Sequence, residues 1–489
     1  MDKDVFAKKT LNRKEILDLN LDLEDLNQLD SFELSKSDYR TGAIKSLIFT
    51  AIAIFIFFIP ITINGETDIT FGIIYNGLMK LAGLPGLWFI VLITIATAIL
   101  SIYGKVFAKS GRIYEYFKGD SFVQPIIYSL GAVFGLLYAL TVSTGFAGPE
   151  IIVGKSTGGT VIPSIAVAVF WIITVSSIFM PFLINYGFIE LIGALMEPLM
   201  RPVFKLPGRA AINALVSFLS SSSVGVLITN KLYRKGVYTE KEAVLVATGF
   251  SAVSVGFAYM VIKTAGLQER FAFVYLISSL MTLLVSGIVA RIPPFNKKKD
   301  IYLNGKVQTI EDIKATKSTA KQGILKTATS RAIKKAYMAP PLVNEIKGSL
   351  RDGLQVIPKV VSSLVAIGTG ALIIAENTPV FDILGRLFIP LLTLLQVPNA
   401  AEIAPSFPVG IAEMFLPVLL IAEKVNVLEP GARFLVVAVS ITQIIFFAET
   451  IVVMMSSKLP IKLWELVVVF LERTIIAILI GSLFMHLFF

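Results

Sequence analysis

Two glutamates lie in apolar segments of this chain that polar residues interrupt. Glu413 lies within SFPVGIAEMFLPVLLIAEK (406–424), and Glu449 lies near the end of AVSITQIIFFAET (438–450). An ionisable group at membrane depth costs roughly 3 kcal/mol or more, so it usually has a partner, a proton or water beside it. Both glutamates are therefore candidates to bind a coupling ion or a solute.

Hydroxyl and amide side chains complete the candidate site. Four consecutive serines interrupt SFLSSSSVGVLITNK (217–231), and two later apolar stretches carry more polar groups. Small hydroxyl residues also serve as ordinary packing contacts between membrane helices, so both roles stay open for them. The candidate substrate-binding residues are Ser220, Ser221, Ser222, Ser223, Thr248, Ser251, Ser254, Glu413, Ser440, Gln443 and Glu449.

The elements that must position these residues are membrane helices. Of the 489 residues, 55% are hydrophobic and only 16% are charged, and the mean hydropathy is +0.78. This composition excludes a soluble globular protein and predicts an all-α polytopic membrane protein. The apolar runs long enough to cross a bilayer, about nine in number, lie at 44–63, 84–107, 121–143, 161–185, 243–263, 271–292, 353–376, 432–456 and 463–487.

Two further apolar segments are too short and too interrupted to cross, and they occupy corresponding places in two halves of the chain. They follow the similar segments FIELIGALMEPLMRPVFKLPGRAA (188–211) and VFDILGRLFIPLLTLLQVPNAA (380–401). We interpret them as re-entrant hairpins at 210–235 and 399–425. Each half then holds an odd number of spans, so the two copies must be inverted, and their hairpin tips are expected to meet near the midplane.

Lysines and arginines predict the orientation, because cytoplasmic loops retain positive charge. The basic residues concentrate on one side when the N-terminus is cytoplasmic and both hairpins return to the side they entered from. The segment at 293–350 carries enough lysine and arginine at helical spacing to predict a basic surface helix on the inner leaflet. The predicted domains are a cytoplasmic N-terminal tail (1–42), scaffold helices (43–145), a first repeat (161–292), a basic cytoplasmic linker (293–350) and a second, inverted repeat (351–489).

Composition also excludes several functional classes. The chain has no cysteine and a single histidine, His486, which excludes disulfides, thiolate metal sites and a histidine-rich cluster. The net charge of +10 indicates topology and attraction to anionic lipid headgroups rather than nucleic acid binding. No catalytic motif is visible, so we predict no enzyme and no cofactor besides Na+ or H+ as coupling ion. Glu472 and Arg473, adjacent in the last span, are predicted to pair with other helices.

The order of these elements resembles that of the concentrative nucleoside transporters. SFLSSSSVGVLITNKLYRKGVYTEKEAVLVATGFSAVSVGF (217–257) and FPVGIAEMFLPVLL are similar to the nucleoside-recognition Gate domain, and the whole chain resembles YjiH-type membrane proteins. The resemblance implies a nucleoside site formed by hairpins and broken helices, a cation near the first hairpin, and a trimer. We predict a homo-oligomer, either a trimer or a dimer. Glu413 matches a glutamate that holds the sugar in that family, and Gln443 and Glu449 fall within a broken helix that lines its site. The serines at 220–223 depart from the family's amide and carboxylate residues.

These patterns predict a secondary-active transporter in a bacterial cytoplasmic (inner) membrane, coupled to Na+ or H+. Its solute is a small polar molecule: the resemblance implies a nucleoside, whereas two carboxylates near the midplane fit a cationic amino acid or an amine at least as well. The alternative is a non-transporting membrane protein that binds a nucleoside or supports a partner complex.

Overall fold

The computed structural model describes residues 9–489 apart from 20, 22–25, 64–65, 119, 121, 220–221, 252, 254, 311, 314–322, 423 and 458. The chain folds into two compact units, each built from three separate stretches of sequence. The first unit comprises the described residues of Met1–Ile73, Thr174–Ser251 and Ala290–Gly353. The second comprises those of Ile74–Ile173, Ala252–Val289 and Leu354–Phe489.

The described residues are predominantly helical. The first elements are β1 (Lys9–Thr10), α1 (Arg13–Asp18), α2 (Leu26–Asp30), β2 (Phe32–Glu33), α3 (Lys36–Phe58), β3 (Pro60–Ile63), β4 (Glu66–Ile69), α4 (Thr70–Ile102), α5 (Arg112–Phe117) and α6 (Gln124–Thr144). Strands β1 and β2 pair in parallel, and β3 and β4 form an antiparallel pair.

The middle of the chain alternates long and short helices. They are α7 (Glu150–Val153), α8 (Gly158–Thr160), α9 (Val167–Ile184), α10 (Phe188–Phe204), α11 (Ala211–Leu219), α12 (Ser222–Arg234), α13 (Glu240–Gly249), α14 (Val255–Thr264) and α15 (Phe271–Val289). Short π-helical turns continue α4 and precede α9, at Tyr103–Phe107 and Val161–Ala166. Further turns of 3₁₀ helix lie at Gly208–Ala210, Gln268–Arg270 and Phe295–Lys297.

The last part of the chain contains ten further helices among its described residues. They are α16 (Ile324–Met338), α17 (Leu342–Asn377), α18 (Val380–Arg386), α19 (Ile389–Leu394), α20 (Ala400–Ile403), α21 (Ser406–Val409), α22 (Leu416–Ala422), α23 (Pro430–Gln443), α24 (Thr450–Ser456) and α25 (Leu463–Phe488).

Within the described residues, seven helical segments are long and apolar enough to cross a membrane. They are Lys36–Phe58, Thr70–Phe107, Gln124–Thr144, Glu150–Ile184, Gln268–Val289, Leu342–Asn377 and Leu463–Phe488. Each overlaps one predicted span, which confirms the all-α multi-span fold. A kink at Gly83, whose φ is +44°, separates the first turns of Thr70–Phe107 from the predicted span at 84–107.

The two remaining predicted spans are interrupted rather than continuous. The span at 243–263 is divided into α13 and α14, and the span at 432–456 is divided into α23 and α24. Helix α23 ends where Ile444 adopts φ +48°. A β-branched residue rarely occupies this left-handed region, at a cost of roughly 1–3 kcal/mol, so the surrounding contacts must hold the break open.

The two predicted hairpins are pairs of short helices. The first hairpin consists of α11 and α12, and the second consists of α21 and α22. Helix α10 precedes the first hairpin, and α18 and α19 precede the second, in the positions predicted for interfacial helices. We use "first hairpin" and "second hairpin" for these pairs below.

The linker helix differs from its prediction. Instead of lying exposed as a basic surface helix, α16 packs against α3 and α10, and its Arg331 and Lys334 are buried. Arg331 forms an ion pair with Asp30 of the N-terminal tail, and the Lys334 ammonium donates to the carbonyl oxygen of Leu29. Apolar residues of the tail form a buried cluster with Met338. Arg331 and Lys334 therefore bind the N-terminal tail. The last residues of the predicted tail, from Lys36, already belong to helix α3.

Candidate functional site

Glu413 lies in the turn of the second hairpin, immediately before α22. Its carboxylate oxygen Oε2 accepts hydrogen bonds from the backbone N–H groups of Phe415 at 2.6 Å and Leu416 at 3.2 Å. The first N–H groups of a helix lack partners within the helix, and a carboxylate there also interacts favourably with the helix dipole. Glu413 therefore caps α22 with one oxygen, and only 8% of the residue is exposed.

Glu413→Ala and Glu413→Gln are expected to separate this capping role from the role of the charge. Alanine removes the acceptor and should lower the free energy of unfolding by about 1 kcal/mol. Glutamine keeps an acceptor oxygen and should remain closer to the wild type in thermal unfolding. Equal melting temperatures for the two variants would contradict the capping role.

The second hairpin is fastened to the break between α23 and α24. Ser440 donates its hydroxyl to the carbonyl oxygen of Met414 at 2.6 Å. The unwound backbone adds two bonds, from Phe447 N–H to Ile411 at 2.7 Å and from Ala448 N–H to Ala412 at 2.9 Å. In a continuous helix these N–H groups would bond within the helix. At the break they bond to the second hairpin instead.

Gln443, the last residue of α23, is the second fastening point. Its Nε2 donates to the carbonyl oxygen of Phe407 at 2.8 Å and to the Thr474 hydroxyl at 2.9 Å. A Cβ atom added at Gly410 would lie 1.9 Å from Gln443 Oε1. Only glycine permits this approach. Ser440 and Gln443, both predicted to face a solute, hold the hairpin in place in this structure.

Glu449 precedes α24 and is half-buried. The residue before it, Ala448, donates its N–H at 2.9 Å to Ala412, the residue before Glu413, so the two glutamates lie beside the same hydrogen bond. Ionised carboxylates are hydrogen-bond acceptors only, so a ligand between them must bring donors or positive charge. Sugar hydroxyls, an ammonium group, a metal cation and a proton all meet this requirement.

The first hairpin contains a buried polar network centred on Asn213. Its Nδ2 donates to the carbonyl oxygen of Gly225 at 2.9 Å and to the Thr229 hydroxyl at 2.5 Å. Tyr238 donates its hydroxyl to Asn213 Oδ1 at 3.2 Å. The sequence interpretation missed this network, although a lone asparagine within the apolar run of α11 was a usable signal.

Two buried hydroxyls converge on Gly225 in the same unit. A Cβ atom added at Gly225 would lie 2.1 Å from Ser217 Oγ and 3.1 Å from Ser251 Oγ. Both residues are 0% exposed, and neither Oγ has a hydrogen-bond partner among the described residues. Buried hydroxyls are normally bonded, so these two are candidates to receive a ligand or water. Ser251 was predicted, whereas Ser217 was not.

The other predicted residues of the first half have different surroundings. Ser222 and Ser223, at the start of α12, are both buried. Thr248 donates its hydroxyl to the carbonyl oxygen of Val244 at 2.7 Å, a bond within its own helix. Ser220, Ser221 and Ser254 lie outside the described residues.

A buried ion network links α10 to α13. Arg201 Nε lies 3.0 Å from Glu197 Oε1, and Arg201 Nη1 lies 3.0 Å from Glu242 Oε1. Glu242 Oε2 also accepts a hydrogen bond from the backbone N–H of Thr239, which completes a capping box at the start of α13.

Across the described ranges, no group of three or more His, Cys, Asp or Glu residues could hold a metal ion.

Long apolar helices, two hairpins and two interrupted helices define this protein as a multi-pass helical membrane protein. Residues 166–268, which include the first hairpin, match the family described as Gate, nucleoside recognition. An uncharacterised protein of Alkalihalophilus pseudofirmus is 33% identical to this chain over 495 residues, covering 98% of this chain and 99% of that protein. The chain belongs to the same family as that protein. Its Gate domain confirms the resemblance predicted from the segment at 217–257.

Two further similarities are more limited. The sporulation integral membrane protein YlbJ of Bacillus subtilis is 31% identical over 84 residues, which cover 15% of this chain and 21% of that protein. A solved structure of CNTnw in an outward-facing state covers 90% of this chain and 99% of that chain, at 15% identity and a TM-score of 0.43.

Proposed function

We propose that this protein is a secondary-active transporter of a small polar solute across the bacterial cytoplasmic membrane, with its N-terminus in the cytoplasm. The observation that carries the proposal is the pair of carboxylates, Glu413 and Glu449, each of which follows one of two hydrogen-bonded residues, Ala412 and Ala448, where the second hairpin meets the break between α23 and α24. Interrupted helices around ionisable groups are the usual form of solute sites in secondary transporters.

The solute that best fits these observations is a nucleoside. The Gate family that matches residues 166–268 is described as nucleoside recognition. The hydroxyl groups of a ribose also supply the hydrogen-bond donors that carboxylates accept. Because Glu413 Oε2 caps α22, we propose that the ligand approaches Oε1. A cationic amino acid or an amine would satisfy the same acceptors and is the second candidate.

The coupling ion is proposed to be Na+ or H+. A proton would be taken by Glu413 or Glu449. Sodium would instead suit the hydroxyl oxygens of Ser217 and Ser251 at Gly225, since hard cations prefer oxygen ligands. The two choices involve different residues, so variants distinguish them.

Uptake into proteoliposomes tests the function. Purified full-length protein should accumulate labelled uridine or adenosine above empty liposomes, and either an inward Na+ gradient or an inward H+ gradient should increase the rate. Lysine and putrescine serve as the cationic solutes, and Ser251→Ala should remove only a sodium effect. Saturable binding without accumulation would support the alternative, a non-transporting protein. Neither binding nor uptake of any solute would contradict the proposal.

A further inference from the structure

Arg473 is the largest fully buried side chain among the described residues. It lies within α25, one of the seven apolar helices, and is 0% exposed. An arginine at such a position is costly and requires partners that compensate for its lost hydration. The adjacent Glu472 does not provide them, because no ion pair joins Arg473 to a carboxylate in the described parts of the chain.

The partners of Arg473 are neutral oxygens: two carbonyls at the end of α23 and one hydroxyl on α15. Nε donates to the carbonyl oxygens of Thr442 and Gln443, each at 3.1 Å, and Nη2 donates to that of Thr442 at 2.7 Å. Nη1 donates to the hydroxyl of Ser286 at 3.1 Å. Both carbonyls belong to the last turn of a helix that stops at Gln443, so neither has a partner within the helix. The carbonyl of Gln443 also accepts the N–H of Ile445 at 2.7 Å, in the unwound segment.

Carbonyls at the end of a broken helix keep lone pairs that the helix does not use, and these attract cations. The partial negative charge of a helix C-terminus adds to this attraction, and transporters use such groups to coordinate Na+. In this protein the guanidinium group occupies that position. At the break after α13, the described residues include a hydroxyl instead, that of the fully buried Ser251.

We propose that Arg473 is a tethered cation, which permanently fills a cation-binding position at the break between α23 and α24. It acts as a positioning residue: its charge holds the carbonyls of Thr442 and Gln443 and thereby the unwound segment that follows them. The consequence for coupling rests on the proposed function. A soluble metal cation binds elsewhere, because this position is already occupied.

Chemical rescue tests the proposal on the purified full-length protein in detergent. Removal of a buried hydrogen-bonded charge in Arg473→Ala should lower the melting temperature by about 10 °C. Millimolar guanidinium chloride should restore at least half of this loss in the variant and leave the wild type unchanged. Urea, a neutral planar molecule of similar shape, should restore nothing, and choline chloride keeps the ionic strength constant.

Two further variants keep the test decisive if Arg473→Ala does not fold. Arg473→Lys retains a charge but has fewer donors, so it should fold with an intermediate melting temperature. Arg473→Met fills the space without a charge and should melt with, or below, the alanine variant. The proposal is wrong if the methionine variant is as stable as the wild type, or if guanidinium and urea act alike on the alanine variant. No solute is present, so these results do not depend on whether the protein transports.

Discussion

Gly410→Ala is expected to lower the free energy of unfolding by about 2 kcal/mol and to abolish solute binding. The added Cβ would lie 1.9 Å from Oε1, 2.9 Å from Cδ and 3.2 Å from Nε2 of Gln443. The amide cannot simply rotate away, because its Nε2 is bonded to Phe407 and Thr474. The second hairpin must therefore separate from α23, which displaces Glu413 from Glu449.

Gly370→Ala provides the matched control in the same unit. Gly370 lies within α17, and a Cβ added there would meet nothing within 4 Å. Alanine favours a helix interior over glycine by roughly 0.5–1 kcal/mol, so this variant should be slightly more stable than the wild type. Thermal unfolding and nucleoside binding measured on both variants check the prediction. Similar stability and binding of the two variants would refute the close contact at Gly410.

Arg201→Met is expected to lower the free energy of unfolding by about 3–5 kcal/mol. The side chains of Arg201, Glu197 and Glu242 are only 11%, 8% and 3% exposed. Removing the cation leaves two carboxylates buried near each other without their shared partner. One of them completes the capping box of α13, so the start of the broken helix should also loosen.

Lys118→Met is the control for Arg201→Met. Lys118 also forms an ion pair, with Glu115, but both side chains are more than half exposed, at 53% and 58%. Exposed pairs contribute little to stability because water screens them, so this variant should unfold close to the wild type. Chemical or thermal unfolding measures both variants. Equal stability of Arg201→Met and Lys118→Met would contradict a buried network at Arg201.

Local hydrophobic patterning predicted the elements of this fold well. The seven long helices follow from continuous apolar runs, and both hairpins follow from interrupted ones, which are visible within about 20 residues of sequence. The roles of Glu413 and Glu449, which lie at such interruptions, stay predictions. Ser440 and Gln443 could also be identified from the sequence, as polar residues within an apolar run. Their partners could not, because hydrogen bonds to Met414 and Phe407 join residues that are 26 and 36 positions apart.

Features created by tertiary packing could not be predicted from the pattern. The sequence offers nothing to distinguish Gly410, which approaches Gln443, from Gly370, which meets nothing. The same holds for α16, whose three lysines and one arginine suggested an exposed basic helix. Burial of Arg331 and Lys334 depends on a complementary carboxylate and carbonyl in the tail, about 300 residues earlier in the chain.

The central claim is that the second hairpin and the adjoining break bind a nucleoside through Glu413. Equilibrium binding of labelled uridine and adenosine to the purified wild type and to Glu413→Gln tests it most directly, with thermal unfolding of both proteins as the check on folding. We predict saturable binding by the wild type and at least a tenfold weaker affinity in the glutamine variant, which corresponds to about 1.4 kcal/mol or more. Equal affinity in two equally folded proteins would contradict the claim.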